Sequence, residues 1–272
     1  MIGQHNLIKQ ITELLEEDKF PQFAIFVGAK GSGKKELVHS LFDGYYSEDN
    51  SVDSVREVID AAYREISDGT FIFTDVDTMS ASAKGALLKL VEECPNNNRF
   101  IMTAENKDNI PETILSRAQV FHMDVYTPTE IADYYDSLDL EQTQKERELL
   151  MTICQTPGEV DECLRVGVKE FYEYVVSVFN NIAQVSGANS FKIADKLAIK
   201  ADSDGYDLKL FLQIFIHLCL DYGLKRTDME GIKKALDAIS VTRIAIKKLK
   251  VKGANKQMLV DSWILEIRKL WI

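Results

Sequence analysis

Gly28-Ala29-Lys30-Gly31-Ser32-Gly33-Lys34 is a glycine-rich run closed by a lysine, a composition that wraps backbone N–H groups around phosphate. Gly28, Gly31 and Gly33 supply the turn, and Lys34 supplies a point charge. The next residue is Lys35, where the P-loop pattern G-x-x-x-x-G-K-[ST] asks for a hydroxyl to ligand Mg²⁺. An ammonium cannot do that. Acidic groups stand at Asp75 and Asp77, after the apolar run Phe71-Ile72-Phe73. An ATPase places there an Asp that holds Mg²⁺ and a carboxylate that polarises the attacking water. The residue after Asp75 is Val76, and side-chain alternation along extended backbone puts Asp75 and Asp77 on one face. Two readings of Asp77 stay open: it reaches the water, or it caps the helix that follows.

Such groups must be carried on strand ends. Residues 23–27 are an apolar run that leads into the glycine loop, and Leu37, Val38, Leu41 and Phe42 continue at helical spacing. Residues 71–73, 99–103 and 120–123 read as further short buried strands. Helical patterns fall at residues 8–15, around 55–62, at 80–93 and near 112–116, with residues 43–53 as a polar loop. Strands alternating with helices predict an α/β fold: a parallel sheet flanked by helices. Thr127-Pro128-Thr129-Glu130 is a capping box with proline at the first helical position, and everything beyond it is helical. We therefore divide the chain into a core at 1–126, a small helical lid at 127–168 and an all-α domain at 169–272.

Composition narrows the class. Hydrophobic residues at 46% and charged residues at 28% fit an ordinary globular chain. No apolar run is long enough to span a bilayer and no signal-peptide pattern opens the chain, which predicts a cytoplasmic protein with no membrane partner. Cys94, Cys154, Cys163 and Cys219 form no C-x-x-C pair, so no metal site is expected and the thiols read as reduced and mostly in the core. A net charge of -11 argues against bulk attraction to DNA. Residues 225–256 nevertheless hold ten cations (Lys225, Arg226, Lys233, Lys234, Arg243, Lys247, Lys248, Lys250, Lys252 and Lys256) against Asp228, Glu230 and Asp237. That stretch is either a solvated helix face or a surface for a partner or nucleic acid. The histidines His5, His39, His122 and His217 are too dispersed to form a constellation.

Three segments carry a resemblance. Residues 77–95, with Ala86-Leu87-Leu88-Lys89 and Glu92-Glu93, resemble the corresponding helix of bacterial clamp-loader subunits, a family of AAA+ P-loop proteins. Ile110-Pro111-Glu112-Thr113-Ile114-Leu115-Ser116-Arg117-Ala118 is similar to the family's I-P-x-T-I-L-S-R-C segment, with alanine for the last cysteine. Ile2-Gly3-Gln4 is similar to the region that flanks adenine in that family. The likeness is specific over residues 1–165 and weak beyond. It implies an AAA+ core, a helical lid and a C-terminal helical collar. Within the family the chain is most like the delta-prime subunit of the DNA polymerase III loader, because it departs from a working motor in four places. Lys35 replaces the hydroxyl, the acidic pair at Asp75 is incomplete, the sensor-1 polar residue falls near Thr103-Ala104 with Ala104 best aligned to it, and Thr156-Pro157-Gly158-Glu159-Val160 stands where a motor has its sensor-2 arginine. Glu159 there would repel phosphate. The zinc-binding cysteine cluster that many relatives insert after the P-loop helix is absent from residues 41–55.

Ser116 and Arg117 survive. The resemblance implies that Arg117 acts as an arginine finger on a neighbour's ATP. The chain is then a non-catalytic stator in a hetero-oligomeric ring of AAA+ subunits, which meets the sliding clamp and primer-template DNA through the complex. Its cofactor-binding residues are Gly28, Gly31, Gly33, Lys34 and Lys35, with Asp75 and Asp77. No cofactor is required; these residues grip ATP or ADP without turnover, or Lys35 lies in an empty pocket, and we read the site as empty. Two alternatives stay open: an ATP-hydrolysing motor subunit that uses Asp75 and Asp77, and an AAA+ module repurposed for regulatory binding. The apolar helical stretches at 208–220 and 258–271 suit either an oligomerising collar or a plain core.

Overall fold

The computed structural model describes residues 2–47, 49–64, 69–93, 95–138, 140, 144–185, 187–194, 196–197, 208–249, 251 and 254–271. Cys94, Lys250 and Lys252, named above, lie outside the described residues. Two compact units emerge, one of residues 1–130 with 156–158, the other of residues 131–155 with 159–272.

The first unit is a parallel sheet with helices on both faces. Its strands are β1 (Phe23–Val27), β2 (Tyr45–Tyr46), β3 (Thr70–Phe73), β4 (Arg99–Ala104) and β5 (Gln119–His122), in the order β2-β3-β4-β1-β5. Every pairing is parallel; Phe23 faces Phe100 in one neighbour and Ala24 faces Gln119 in the other. The helices are α1 (His5–Glu16), α2 (Lys34–Leu41), α3 (Val52–Arg64), α4 (Ala81–Glu93) and the short α5 (Glu112–Leu115). Period-two alternation sorts the core into two layers. Phe23, Ile25, Phe71, Phe73, Phe100 and Met102 pack with Val55 and Ile59 of α3 and Ala83 and Leu87 of α4. Ala24, Phe26, Ile72, Ile101 and Phe121 pack on the other face with Ile11 of α1 and Leu37 of α2. The expected α/β sheet is present, with one strand that the sequence did not announce. β2 lies in the stretch read as a loop and pairs only with β3, Tyr45 facing Phe71.

The second unit is all-α. It contains most of α6 (Pro128–Asp136) and α8 (Pro157–Val166), with α7 (Gln144–Ile153), α9 (Val168–Asn181), α10 (Gly187–Ala194), α11 (Leu208–Leu224), α12 (Met229–Leu249) and α13 (Lys256–Trp271). Its centre is aromatic. The Trp263 ring stands edge-on to Phe215 and Phe211, with centroids 4.8 and 5.6 Å apart, and its indole N–H donates to Thr242 Oγ1 at 3.0 Å. The large residues of α11 and α13 are mostly this unit's own core: Phe211, Phe215, Trp263 and Ile267 are all buried. Cys154, Cys163 and Cys219 are free and buried, with Cys154 Sγ 3.5 Å from Cys163 Sγ. Burial raises the Cys219 thiol to about 12. Among the described residues, no helix is long and apolar enough to cross a membrane.

Candidate functional site

The glycine loop leaves the C-terminal end of β1, where open α/β sheets present their ligand crevice. Gly28 N–H donates to Ala104 O of β4 at 3.1 Å. Gly33, with φ 78°, caps α2, and Lys34 and Lys35 form the first turn of that helix. Lys34 is buried. Its ammonium donates to the loop's own carbonyls, Ala29 O at 2.9 Å and Gly28 O at 3.0 Å. Burial lowers its pKa, against the opposing field of Glu105, Asp75 and Asp77. Lys35 reaches the other way: its Nζ lies 2.7 Å from Asp75 Oδ2. The carboxylate that would hold Mg²⁺ through water is thus paired with a cation covalently built into the chain.

The Asp75 backbone is left-handed, with φ 51°, and its N–H donates to Thr103 Oγ1 at 3.0 Å. β3 has already ended at Phe73, and Val76–Thr78 form a 3₁₀ turn. The extended geometry that would align Asp77 with Asp75 is therefore absent. Asp77 is buried, and its Oδ2 accepts from Asn106 N–H at 3.1 Å. Through that oxygen it ties the loop after β4 in place, and the start of α4 is capped instead by Ser80, whose Oγ accepts from Ala83 N–H at 3.2 Å. The polar group from the end of β4 that meets Asp75 is Thr103, one residue before the Ala104 of our alignment.

Thr156 Oγ1 donates to Lys30 O at 3.1 Å, and Gly158 N–H donates to Gly31 O at 2.9 Å. The approach is so close that a Cβ on Gly158 would stand 2.5 Å from Gly31 Cα. Gly31 itself has φ 74°, so glycine is required on both sides of this contact. The loop's outer turn is thus covered by residues 156–158. Glu159, expected to repel phosphate, is otherwise engaged: Lys209 Nζ lies 2.7 Å from its Oε1, and Gln155 N–H donates to Oε2 at 2.7 Å.

Tyr126 braces the loop, and Gln4 fastens the segment before α1 to the chain after β5. Tyr126 OH donates to Ser32 O at 2.9 Å. Gln4 Nε2 donates to Asp124 O at 2.9 Å while Asp124 N–H donates to Gln4 Oε1 at 2.7 Å. Gln4 was flagged by the resemblance; Tyr126, 94 residues from its partner, carried no local signal.

Arg117 and Ser116 follow α5 away from this crevice. Both hydrogen-bond to Thr113 O, Arg117 Nη1 at 2.9 Å and Ser116 Oγ at 3.2 Å. Arg117 is exposed and forms no ion pair among the described residues. A guanidinium left facing solvent on a short rigid turn is free to meet an anion from outside.

Residues 48–127 match the family model described as DNA polymerase III, delta subunit. DNA polymerase III subunit tau of Bacillus subtilis is 26% identical over 182 residues, 54% of this chain and 32% of that protein. The Replication factor C small subunit of Saccharolobus solfataricus is 27% identical over 139 residues, 44% of this chain and 42% of its own. The chain thus spans between a third and a half of the length of these curated relatives. The Thermotoga maritima RuvB Holliday junction branch migration motor aligns with 96% of this chain and 82% of its own at TM-score 0.50 and 14% identity, a likeness of fold. The similarity is thus to a DNA polymerase III delta-type domain over residues 48–127, and to subunits of DNA polymerase III and Replication factor C over about half of the chain.

Proposed function

We propose that this chain is a stator-type, delta-prime-like subunit of a DNA polymerase clamp loader. It has no ATPase activity of its own and lends Arg117 to a neighbouring ATPase subunit during sliding-clamp loading in the cytoplasm. One observation carries the reading: the Lys35–Asp75 ion pair puts an ammonium on the carboxylate that a motor keeps for Mg²⁺. A metal and a lysine compete for the same oxygen, and the lysine is tethered, so its effective concentration is high. The same pair speaks against the motor reading, which needs Asp75 free. Lys34, bonded to the loop's own carbonyls, and Gly158, set against Gly31, support a site that is closed without nucleotide. We assign residues 1–126 to the AAA+ core, 127–168 to the lid and 169–272 to the collar that joins the ring.

The test is ATP turnover by the purified chain alone and mixed with an ATPase subunit of the same replication machinery. Silence alone, with stimulation of the partner that falls by about three orders of magnitude in Arg117→Ala, is the expected result. Magnesium-dependent turnover by the isolated chain, abolished by Lys34→Ala, would replace the stator with a motor. Association with no such ATPase, together with an indifferent Arg117→Ala, would replace it with a regulatory module.

A further inference from the structure

The buried side of α12 is small and smooth. Ala235, Ala238, Thr242 and Ala245 pack it against α11 and α13. Its opposite side is unusual for a solvated helix. Met229, Leu236 and Ile244 are 79%, 58% and 51% exposed, and Val251, just past the helix end, is 63% exposed. Lys233, Arg243 and Lys247 are interleaved with them and exposed. The spacing from 229 through 233, 236, 240, 243, 244 and 247 is that of one continuous helical stripe. None of these three cations forms an ion pair among the described residues, whereas Lys234, off the stripe, lies 3.1 Å from Glu230. Beside the stripe, Ile244 and Lys248 also line a groove of about 450 Å³ that Met258 and Trp263 help to form.

A row of large apolar side chains along one exposed face, rimmed by polar residues and continuous with a groove, marks an interaction surface. Phosphate backbone would satisfy the cations but leave Met229, Leu236 and Ile244 against charged oxygens. Unpaired cations in a chain of net charge -11 call for carboxylates from outside, and the apolar members call for an apolar seam between those carboxylates. We infer that the exposed stripe of α12 docks an acidic amphipathic helix of another protein, with a large apolar side chain of that helix seated in the Ile244–Met258 groove. The inference rests on the ring-subunit reading above and names the face and the chemistry of the contact.

The probe is a pair of synthetic helical peptides, both with leucines at helical spacing, one flanked by glutamates and the other by lysines. Binding to the full chain is measured by fluorescence anisotropy at low and at physiological salt. The acidic peptide is expected to bind about tenfold tighter than the basic one, with the preference shrinking as salt rises. Lys233→Glu/Arg243→Glu/Lys247→Glu is expected to reverse the preference, and Leu236→Ser/Ile244→Ser to weaken both peptides about tenfold. All five positions are exposed, and an unchanged thermal midpoint confirms that each variant folds. Equal binding of the two peptides, no binding of either, or indifference to the substitutions overturns the inference. Binding of duplex DNA that is lost in the charge variant and kept in Leu236→Ser/Ile244→Ser, with no peptide preference, overturns it in favour of a nucleic-acid face. Arg117→Ala leaves peptide binding unchanged, so this inference and the stator reading fail separately.

Discussion

Lys35 Nζ and Asp75 Oδ2 lie 2.7 Å apart, joining the first turn of α2 to the turn after β3. Their side chains remain 47% and 31% exposed, so water screens the pair. Its contribution to stability is expected to be small, under about 1 kcal/mol, and its effect lies instead in which cation Asp75 accepts. Lys35→Thr restores the hydroxyl and frees Asp75. Binding of a fluorescent ATP analogue should then become magnesium-dependent, while turnover stays absent because Asp77 is held by Asn106. Hydrolysis by this single variant would show that Asp77, or another group, serves as the missing carboxylate.

Gly158→Ala places a methyl 2.5 Å from Gly31 Cα, a backbone atom that cannot rotate away. Overpacking of this kind costs about 1–3 kcal/mol, despite alanine's better helix propensity. Gly31→Ala meets the same contact from the other side and adds strain at φ 74°. Because either methyl forces the same two backbone segments apart, the second costs less once the first has opened the contact, and the double variant should lose less than the sum of the singles. Urea midpoints of the four proteins decide this, and simple additivity would mean that the two glycines do not meet in solution.

Thr242→Val keeps the side-chain shape but removes the acceptor of the Trp263 N–H in a buried site. Leaving that donor unsatisfied is expected to cost about 1–3 kcal/mol in chemical denaturation. A matching loss in Thr242→Ser would point to the methyl group rather than the hydroxyl.

Asp136 accepts three hydrogen bonds from Arg147, from Nε at 2.9 and 3.0 Å and from Nη2 at 2.8 Å, clasping α6 to α7. These bonds hold its carboxyl below the usual 3.8. A depressed folded value means that the stabilisation is fully present above 3.8 and is lost as pH falls through the folded value. Asp136→Asn should therefore be less stable than wild type at neutral pH and converge with it in acid. Parallel stability curves down to about pH 2 would remove the clasp from the account.

How far the sequence could be read depended on burial. β1, β3 and β4 lie inside a sheet covered on both faces and read as largely apolar runs, whereas β5, at the sheet edge with Gln119 and His122 exposed, was legible only through Val120 and Phe121. β2 is two residues long, and Tyr45 is 49% exposed, so nothing separates it from the polar loop around it. Lys35 was legible as a defect, but its partner was not, because a pattern records which residue is missing and not where the replacement reaches. Asp77 misled because alternation was assumed through a left-handed residue and a 3₁₀ turn. The bracing of the glycine loop by Tyr126 spans 94 residues and has no period. In α12 the basic bias was plain; its interleaving with Met229, Leu236 and Ile244 on one side acquires meaning only once the opposite side is known to be packed.

The strand order β2-β3-β4-β1-β5 has a consequence for how the chain is made. β1 emerges first from a ribosome, yet both of its hydrogen-bonding neighbours, β4 and β5, are synthesised last. Until residue 122 has emerged, the earliest strand carries at least one bare edge, and the glycine loop at its tip waits for Ala104 of β4 and, later still, for Tyr126. The first of the five strands to be translated is therefore the last to gain both of its neighbours, so a nascent chain halted before β4 would expose Phe23-Ala24-Ile25-Phe26-Val27 to whatever chaperone or sister chain lies within reach.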